Sequence, residues 1–330
     1  MLTLVLASTG ALGEQTGEAA GAGEIRDAGA LLMRMNRAFA DKNYDGVFTY
    51  FSGDDLASLR VVHKIVNGQQ RERLVHLNGA PREIVRRGEE VLCIVMPGDD
   101  IAVLENSIPA GPFARAFVRE FERISHSYAV ETAGEGRVAG RRALRVAVLP
   151  RDEHRFGYRL WLDEETALLL RSELVNRHGE RLEIFQFSHL TIGDAVRDEA
   201  LESEEPKGSM VSHLTLRNPD MRTRQVAQET GSWQVGWLPA GFKMAMADVH
   251  KKPGAGGSDN VMMYTDGLAT FSIFLERMPK RGAAAMSSTS GATVAITRGV
   301  ESRLGYFLAT LVGEIPEATG IRIIESIRSL

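Results

Sequence analysis

The residues of this chain that could take part in chemistry are eight histidines, a few adjacent carboxylates and one cysteine. A metal site needs ligands at characteristic spacings, and neither His-Glu-x-x-His nor Cys-x-x-Cys occurs in the sequence. His63 and His76 are separated by a turn and have no spaced carboxylate as a third ligand. We therefore predict no metal and no other cofactor.

His154 is the best candidate for an acid–base group, because it follows Asp152 and Glu153. It falls between two strand-like segments, where such residues commonly make surface polar contacts, so we interpret residues 151–155 as a solvent-facing turn. The sequence has no nucleophile elbow, phosphate-binding P-loop or dinucleotide-binding glycine motif. These observations predict that the chain is not an enzyme, although a constellation built from distant residues would leave no such motif.

Length and composition bound the class of protein. At 330 residues, the chain corresponds to about two domains of ~150 residues each. With 44% hydrophobic and 25% charged residues it can bury a sizeable core, and its net charge of -4 argues against a nucleic-acid partner. The single cysteine, Cys93, lies in an apolar run and is predicted to be a small buried hydrophobe.

The first 23 residues begin with a short apolar run, Met1 to Ala7, and continue with small and acidic residues. This pattern resembles the end of a secretory signal peptide, and the alternative is a disordered tail. No later run reaches the ~18 to 20 apolar residues of a membrane span. We therefore favour an exported protein without a membrane anchor.

The clearest structural element lies at residues 138–163. Apolar residues alternate along both halves of this segment, on one face of each predicted strand, and a charged turn joins the halves. The pattern predicts a β-hairpin with one packed face, and no nucleophile lies beside a base in it, so it indicates a binding surface. The alternating residues are Leu144, Val146, Val148, Tyr158, Leu160 and Leu162.

This hairpin resembles the RseB/MucB family of periplasmic regulators of the sigma-E envelope-stress pathway. Other similar segments occur in order within residues 25–330, which single short motifs would not do by chance. They are Tyr44 to Tyr50, His63, residues 72–86, Trp237 to Phe242, Tyr264 to Leu268, Phe271 to Phe274 and Gly313 to Pro316. The chain is identified as a member of this family.

The resemblance implies an α+β fold, with a large N-terminal LolA/LolB-like unclosed antiparallel β-barrel with packed helices and a smaller C-terminal α+β domain. We place a signal-like or disordered segment at residues 1–23 and the lipoprotein-carrier-like sensor domain at residues 24–193. An acidic, solvated linker follows at residues 194–209, and the C-terminal domain occupies residues 210–330.

Helices are predicted at residues 24–42, 109–124 and 317–328 from the spacing of their apolar residues. The stripe of the second helix contains Phe113, Phe117, Phe121 and Ile124. Two segments rich in glycine, serine and alanine, residues 251–259 and 279–291, either fold against a partner or are ordinary mobile loops.

Aromatic and aliphatic residues supply the apolar surface that a binding protein needs. Given the resemblance, a lipid-binding concavity is expected at Phe48, Tyr50, Val146, Val148, Tyr158, Leu160, Phe185 and Phe187, although burial of these residues could serve folding alone. In the second domain, candidate partner contacts are Trp237, Phe242, Tyr264 and Phe271, each of which could instead be a core residue.

The resemblance implies a periplasmic regulator that binds the periplasmic domain of a membrane anti-sigma factor of the RseA/MucA type. It would protect that factor from regulated proteolysis and release it on sensing lipid or lipopolysaccharide. A homo-oligomer is left open. The alternative hypothesis is a periplasmic lipid or lipoprotein carrier, which would use the same concavity without a partner-binding second domain, and an enzyme is the third hypothesis.

Overall fold

The computed structural model describes residues 20–88, 90–96, 124–203, 209–215, 233–251, 258–280, 285–303 and 305–329. Residues 1–19 of the predicted signal-like segment and the aromatic stripe Phe113, Phe117 and Phe121 lie outside these residues, as does most of the predicted loop at residues 251–259. Among the described residues, neither helix combines the length and the apolar character that crossing a membrane requires.

Helix α1 (Ala20–Asp41) confirms the first predicted helix and begins four residues before it. Its apolar residues recur every three or four positions, so one stripe of the helix faces the first domain's sheet. Leu32, Met35 and Ala38 on this stripe are almost completely buried. The helix therefore contributes side chains to the core of the first domain.

An eleven-stranded antiparallel sheet forms the first domain. Its spatial order is β11-β5-β4-β3-β2-β1-β10-β9-β8-β7-β6, and among the described strands β11 and β6 form unjoined edges. The strands are β1 (Tyr44–Ser52), β2 (Asp55–Val66), β3 (Gln69–His76), β4 (Glu83–Arg87), β5 (Glu90–Val95), β6 (Tyr128–Val138), β7 (Arg141–Pro150), β8 (Gly157–Asp163), β9 (Leu169–Val175), β10 (Arg181–Ile192) and β11 (Met210–Thr215). This unclosed antiparallel sheet with a packed helix confirms the predicted fold class.

The segment predicted as a solvated linker packs against the sheet in its first half. A 3-10 helix, Asp198–Leu201, places Val196 and Leu201 against Val62 in a small apolar cluster on β2. Beyond it, β11 pairs with β5, so the sheet of the first domain continues past residue 209. The domain boundaries themselves remain a prediction.

A six-stranded antiparallel sheet and a second helix form the second domain. The sheet order is β13-β14-β15-β18-β17-β16, and β12 pairs separately with β19. The elements are β12 (Trp233–Val235), β13 (Lys243–Lys251), β14 (Ser258–Thr265), β15 (Thr270–Met278), β16 (Met286–Ser290), β17 (Thr293–Ser302), β18 (Gly305–Gly313), α2 (Glu317–Glu325) and β19 (Ile327–Ser329). Helix α2 packs on β17 and β18 and ends before the predicted residue 328, because residues 327–329 pair with β12.

His63 on β2 fixes the end of α1 to the sheet. Its side chain is buried, its ring stacks on Tyr44 with centroids 4.9 Å apart, and Nδ1 lies 2.8 Å from the carbonyl oxygen of Lys42. A carbonyl only accepts, so Nδ1 carries the proton, and Nε2 has no partner among the described residues. Burial lowers the pKa of His63 and outweighs the opposite effect of Glu72.

We expect His63 to make the free energy of unfolding decrease as the pH falls below about 6.5, the ordinary pKa of histidine. The unfolded chain then binds a proton that the folded chain excludes, so stability falls by at most about 1.4 kcal/mol per pH unit for this residue. Glu314, whose pKa burial raises to about 7, acts in the opposite direction in the unchanged protein and in the variant alike. Urea unfolding at several pH values measures this slope. His63→Phe keeps an aromatic ring beside Tyr44 and should show a shallower slope, with a remainder from His76, whose pKa is also lowered by burial. Equal slopes in the two proteins would contradict this role of His63.

Candidate functional site

The eight residues predicted to line a lipid-binding concavity lie together on the inner face of the large sheet. Six of them are buried members of one apolar cluster that also includes residues of α1, whereas Tyr50 and Tyr158 are half-buried and pack against this cluster. The strand register pairs Val146 with Leu160, Val148 with Tyr158, Tyr50 with Phe185 and Phe48 with Phe187.

Side chains of α1 occupy the space above this inner face. Leu32 and Met35 of the helix belong to the same cluster as Phe48, Phe185 and Phe187 of the sheet. The three phenylalanine rings contact one another, with centroids 4.7, 5.1 and 5.8 Å apart. In the described conformation, protein side chains therefore fill the concavity.

The four predicted partner contacts of the second domain divide into two groups. Phe242, Tyr264 and Phe271 are buried and form an aromatic group in the core of that domain, with Phe271 5.4 Å from Phe242 and 5.2 Å from Tyr264. Trp237 is half-buried and keeps some exposed surface. Of the four, only Trp237 offers a contact surface in the described conformation.

The turn between β7 and β8 inserts Arg155 between the two domains, so the prediction of a solvent-facing turn is wrong for this residue. Its side chain is fully buried and forms ion pairs with Asp152 in the same turn, at 2.8 Å, and with Asp266 of the second domain, at 2.6 Å. Nη2 also donates to the carbonyl oxygen of Ala240 at 2.6 Å. Sequence reasoning missed this residue because its main partner lies 111 positions away.

The remaining contacts of this ion pair satisfy nearly all of its polar atoms. Tyr128 donates its hydroxyl to Asp266 Oδ2 at 3.0 Å, and the backbone N–H groups of Leu268 and Ala269 donate to Oδ1. The guanidinium group of Arg155 also lies over the rings of Tyr128 and Phe242, at 5.5 and 5.2 Å. A buried charge pair is stable only with such additional bonds, and here they come from both domains.

Hydrogen bonds and opposite charges keep Arg155 and Asp152 ionised. Burial lowers the pKa of Arg155, but its hydrogen bonds and attraction to Asp152 and Asp266 raise the pKa above its usual range. Burial raises the pKa of Asp152, and the hydrogen bonds from Arg155 and from the His154 backbone outweigh it and lower the pKa. Arg155 and Asp152 therefore both remain charged near neutral pH.

Gly241 permits the close approach of the domains beside this cluster. Its φ is +89°, in the left-handed region that favours glycine, and a Cβ there would lie 2.6 Å from Ser127 Oγ. The backbone of the second domain thus reaches the turn before β6 without a side chain between them.

His154 and Trp237 form a neighbouring interdomain contact. The histidine ring meets the indole edge to face at 5.2 Å, and Nδ1 lies 3.1 Å from the hydroxyl oxygen of Thr319 on α2. The guanidinium group of Arg322 lies 3.8 Å from the indole centroid. His154 therefore packs at the interface between the domains, with the buried hydroxyl of Thr319 as its hydrogen-bond partner.

Glu183 on β10 makes a third interdomain contact. Its carboxylate accepts hydrogen bonds from Tyr50 at 2.7 Å and from Ser52 at 3.0 Å, both in the first domain. The backbone N–H of Ala292, between β16 and β17, donates to the same carboxylate at 3.4 Å. The predicted loop at residues 279–291, which contains the ordered strand β16, thus ends next to the first domain.

The part of the chain that the structure describes contains no group of three or more side chains suited to hold a metal ion. Cys93, the single cysteine of the chain, is buried at 1% exposure, as predicted for a small hydrophobe. The candidate functional features of the described residues are therefore the apolar inner face of the large sheet and the contacts between the two domains.

Comparison with known proteins identifies relatives along almost the whole chain. A family model described as the MucB/RseB N-terminal domain matches residues 27–205, and one described as the MucB/RseB C-terminal domain matches residues 227–328. Sigma factor AlgU regulatory protein MucB of Pseudomonas aeruginosa is 32% identical over 310 residues, which are 92% of this chain and 92% of that protein. Sigma-E factor regulatory protein RseB of Escherichia coli K12 is 28% identical over 306 residues, or 91% and 90% of the two chains.

A solved structure shares the two-domain architecture. The complex structure of Pseudomonas aeruginosa MucA/MucB matches with a TM-score of 0.75 at 29% identity, and the match covers 92% of this chain and 99% of that chain. The fold and the order of both domains are therefore common to the two proteins.

Proposed function

Because the chain belongs to the MucB/RseB family, we propose that it is a periplasmic regulator that binds the periplasmic part of a membrane anti-sigma factor of the RseA/MucA type. The observation that carries this proposal is the match of both family domains, in order, across residues 27–328. Two relatives are named as regulatory proteins of sigma factors, and a structure pairs MucB with MucA. Both domains would be needed, since the interface joins them through buried contacts.

Binding of this kind requires no catalytic residue. The bound anti-sigma factor would be protected from regulated proteolysis, and a lipid or lipopolysaccharide would release it by binding better to the released state. Such a ligand shifts the equilibrium between the bound and released states only by the ratio of its affinities for the two states. Each factor of ten in this ratio corresponds to a free-energy difference of about 1.4 kcal/mol. We therefore propose a regulator without enzymatic activity.

The inner face of the large sheet is apolar, which supports a lipid-responsive role, but α1 lies over it. Phe48, Phe185 and their neighbours are apolar enough to contact an acyl chain, but α1 covers them. An acyl chain at this face would have to displace Leu32 and Met35. Lipid binding at the inner face would therefore require movement of α1.

Trp237 is the predicted partner contact that the described conformation favours. Its indole is held between His154 and Arg322 and retains exposed surface. Rigid aromatic side chains of this kind often contribute much of the binding energy at protein interfaces. Phe242, Tyr264 and Phe271 would act by supporting the domain that presents it.

Binding of the anti-sigma factor is the test. We expect isothermal titration calorimetry to give a dissociation constant of about 1 μM or lower, near −8 kcal/mol, for the purified periplasmic domain of a single-span anti-sigma factor of the RseA/MucA type. Trp237→Ala should weaken binding, whereas Met286→Ala, at an exposed position on β16, should not. No binding at micromolar concentration by the unchanged protein would overturn the proposal. Transfer of lipid between vesicles without any such partner would favour the carrier hypothesis.

A further inference from the structure

The outer face of the large sheet carries two parallel rows of side chains that cross the strands. The register aligns Arg145, Trp161, Arg171, Gln186, Thr49 and Ser58 in the first row. It aligns Arg159, Glu173, Ile184, Phe51 and Leu56 in the second. Directly opposed residues of neighbouring strands point to the same face, so the two rows form one surface, which we call the outer-face patch.

One half of the outer-face patch is cationic and aromatic. The guanidinium groups of Arg145 and Arg171 lie over the ring of Trp161, at 5.6 and 4.8 Å. Arg171 is also held by Glu173 and by Gln186 Oε1, the latter at 2.7 Å. These contacts place both arginine side chains beside Trp161 on the same face of the sheet.

This half of the patch has an excess of positive charge. Arg159, Arg171 and Arg181 all pair with Glu173, and Arg145 has no carboxylate partner among the described residues. Four arginines against one glutamate leave three positive charges uncompensated. Glu131 on β6 lies in the same cross-strand row as Arg159, because it pairs with Ala147 of β7, which in turn pairs with Arg159. Its negative charge lowers the positive excess but does not cancel it.

The other half of the outer-face patch is apolar and exposed. Phe51 is 38% exposed and Leu56 is 60% exposed, and they are direct cross-strand neighbours. A shallow depression of about 310 Å³ joins the two halves and is lined by Thr49, Phe51, Arg171, Ile184 and Gln186. Arginine and apolar side chains thus share one surface depression.

The dimensions of the patch fit an elongated molecule. Neighbouring strands lie about 4.8 Å apart, so the first row spans about 24 Å from Arg145 to Ser58. An anionic group at one end and an apolar chain at the other would match the charge and polarity of the two halves. The inner face offers no such open surface, because α1 covers it.

We infer that the outer-face patch binds an anionic amphiphile, with its phosphate or carboxylate on Arg145 and Arg171 and its acyl chain along Ile184, Phe51 and Leu56. This inference rests on the lipid-responsive part of the proposed function and assigns it to the face of the sheet opposite α1. Arginine suits this role because its planar fork donates two hydrogen bonds to a phosphate or carboxylate. Binding here would leave the packing of α1 unchanged.

Co-sedimentation of the full chain with lipid vesicles tests the inference. We expect binding to vesicles of equal parts phosphatidylglycerol and phosphatidylcholine and little binding to phosphatidylcholine alone. Arg145→Gln should weaken this binding about fivefold, the effect of one arginine near an anionic surface. Leu56→Ser should weaken it by a similar factor through the lost apolar contact. The matched controls Arg142→Gln and Met286→Ser, at exposed positions outside the patch, should bind like the unchanged protein.

Each contrary outcome overturns the inference in a recognisable way. Unchanged binding by Arg145→Gln, or no binding by the unchanged protein, removes the patch as a lipid site. If inorganic phosphate displaces the vesicles and Leu56→Ser has no effect, the patch binds simple anions and not amphiphiles. If calorimetry without lipid shows that Arg145→Gln weakens binding of the anti-sigma factor, the patch is a protein-binding surface. Failure of the proposed function is seen separately, as absent anti-sigma binding by the unchanged protein.

Discussion

Replacement of Arg155 by methionine is expected to lower the free energy of unfolding by about 3 to 5 kcal/mol, because removal of one partner leaves the other charge buried and uncompensated. Both Arg155 and Asp266 have no exposed side-chain surface in their ion pair. Methionine retains most of the volume but makes none of the hydrogen bonds to Asp152, Asp266 and the Ala240 carbonyl. Urea unfolding followed by tryptophan fluorescence measures the loss.

The same experiment needs a surface ion pair as its control. Arg177 pairs with Glu153 at 3.6 Å, with both side chains about two-thirds exposed. Arg177→Met should therefore cost about 1 kcal/mol or less. Combining Arg155→Met with Asp266→Asn should cost less than the sum of the single changes, because the charge left behind is also removed. Equal losses for Arg155→Met and Arg177→Met would contradict a buried interdomain pair.

Replacement of Phe187 by alanine is expected to lower the free energy of unfolding by about 3 to 5 kcal/mol, the usual cost of removing a fully buried ring. Phe187 is 1% exposed and packs against Phe48 and Phe185. Its ring also fills the space above Gly46, where a Cβ would lie 2.6 Å from Phe187 Cε1. The cavity left by alanine would be lined by the sheet and α1, which cannot both move to close it.

Leu56→Ala is the control for this change. Leu56 lies on the outer face of the same sheet and is 60% exposed, so its truncation should change the free energy of unfolding by about 0.5 kcal/mol or less. Thermal or urea unfolding of both variants gives the comparison. If Leu56→Ala were as costly as Phe187→Ala, the assignment of inner and outer faces would be wrong.

Alternating residues predicted the large sheet well. The period of two along residues 144–148 and 158–162 is enough to place Val146, Val148 and Leu160 on a buried face, and the structure has them there. The helix at α1 was equally predictable, since Leu31, Leu32 and Met35 recur at helical spacing. Both signals are local, and local patterns are readable from sequence.

Contacts between distant segments were not predictable in this way. Arg155 and Asp266 lie in two segments that the family resemblance singled out, residues 138–163 and 264–268, but nothing in either segment indicates that they meet. A charged turn normally faces solvent, and only the docking of the second domain buries it. The packing of residues 194–203 was not predicted for the same reason. Val196 and Leu201 are two apolar residues in an acidic stretch, and only the folded chain brings them to Val62 on β2.

The lipid and partner surfaces remain predictions at the level of single residues. Aromatic side chains such as Phe271 are equally suited to a core and to an interface, so composition alone does not separate the two roles. The outer-face patch was missed because its signal is the alignment of Arg145, Trp161 and Arg171 on three strands. That alignment depends on strand register, which the sequence does not display.

The hairpin of β7 and β8 connects the inner and outer faces of the large sheet with the contact between the domains. Val148 and Tyr158 are paired at its inner face, Arg159 lies on its outer face, and Arg155 lies at its tip, where it contacts Asp266 of the second domain. Hydrogen-bonded antiparallel strands move together, so a shift of the hairpin caused by a ligand on either face would reach the second domain within a few residues. Communication between the domains would then follow one covalently continuous segment, and its strength would be set by how firmly Arg155 is held.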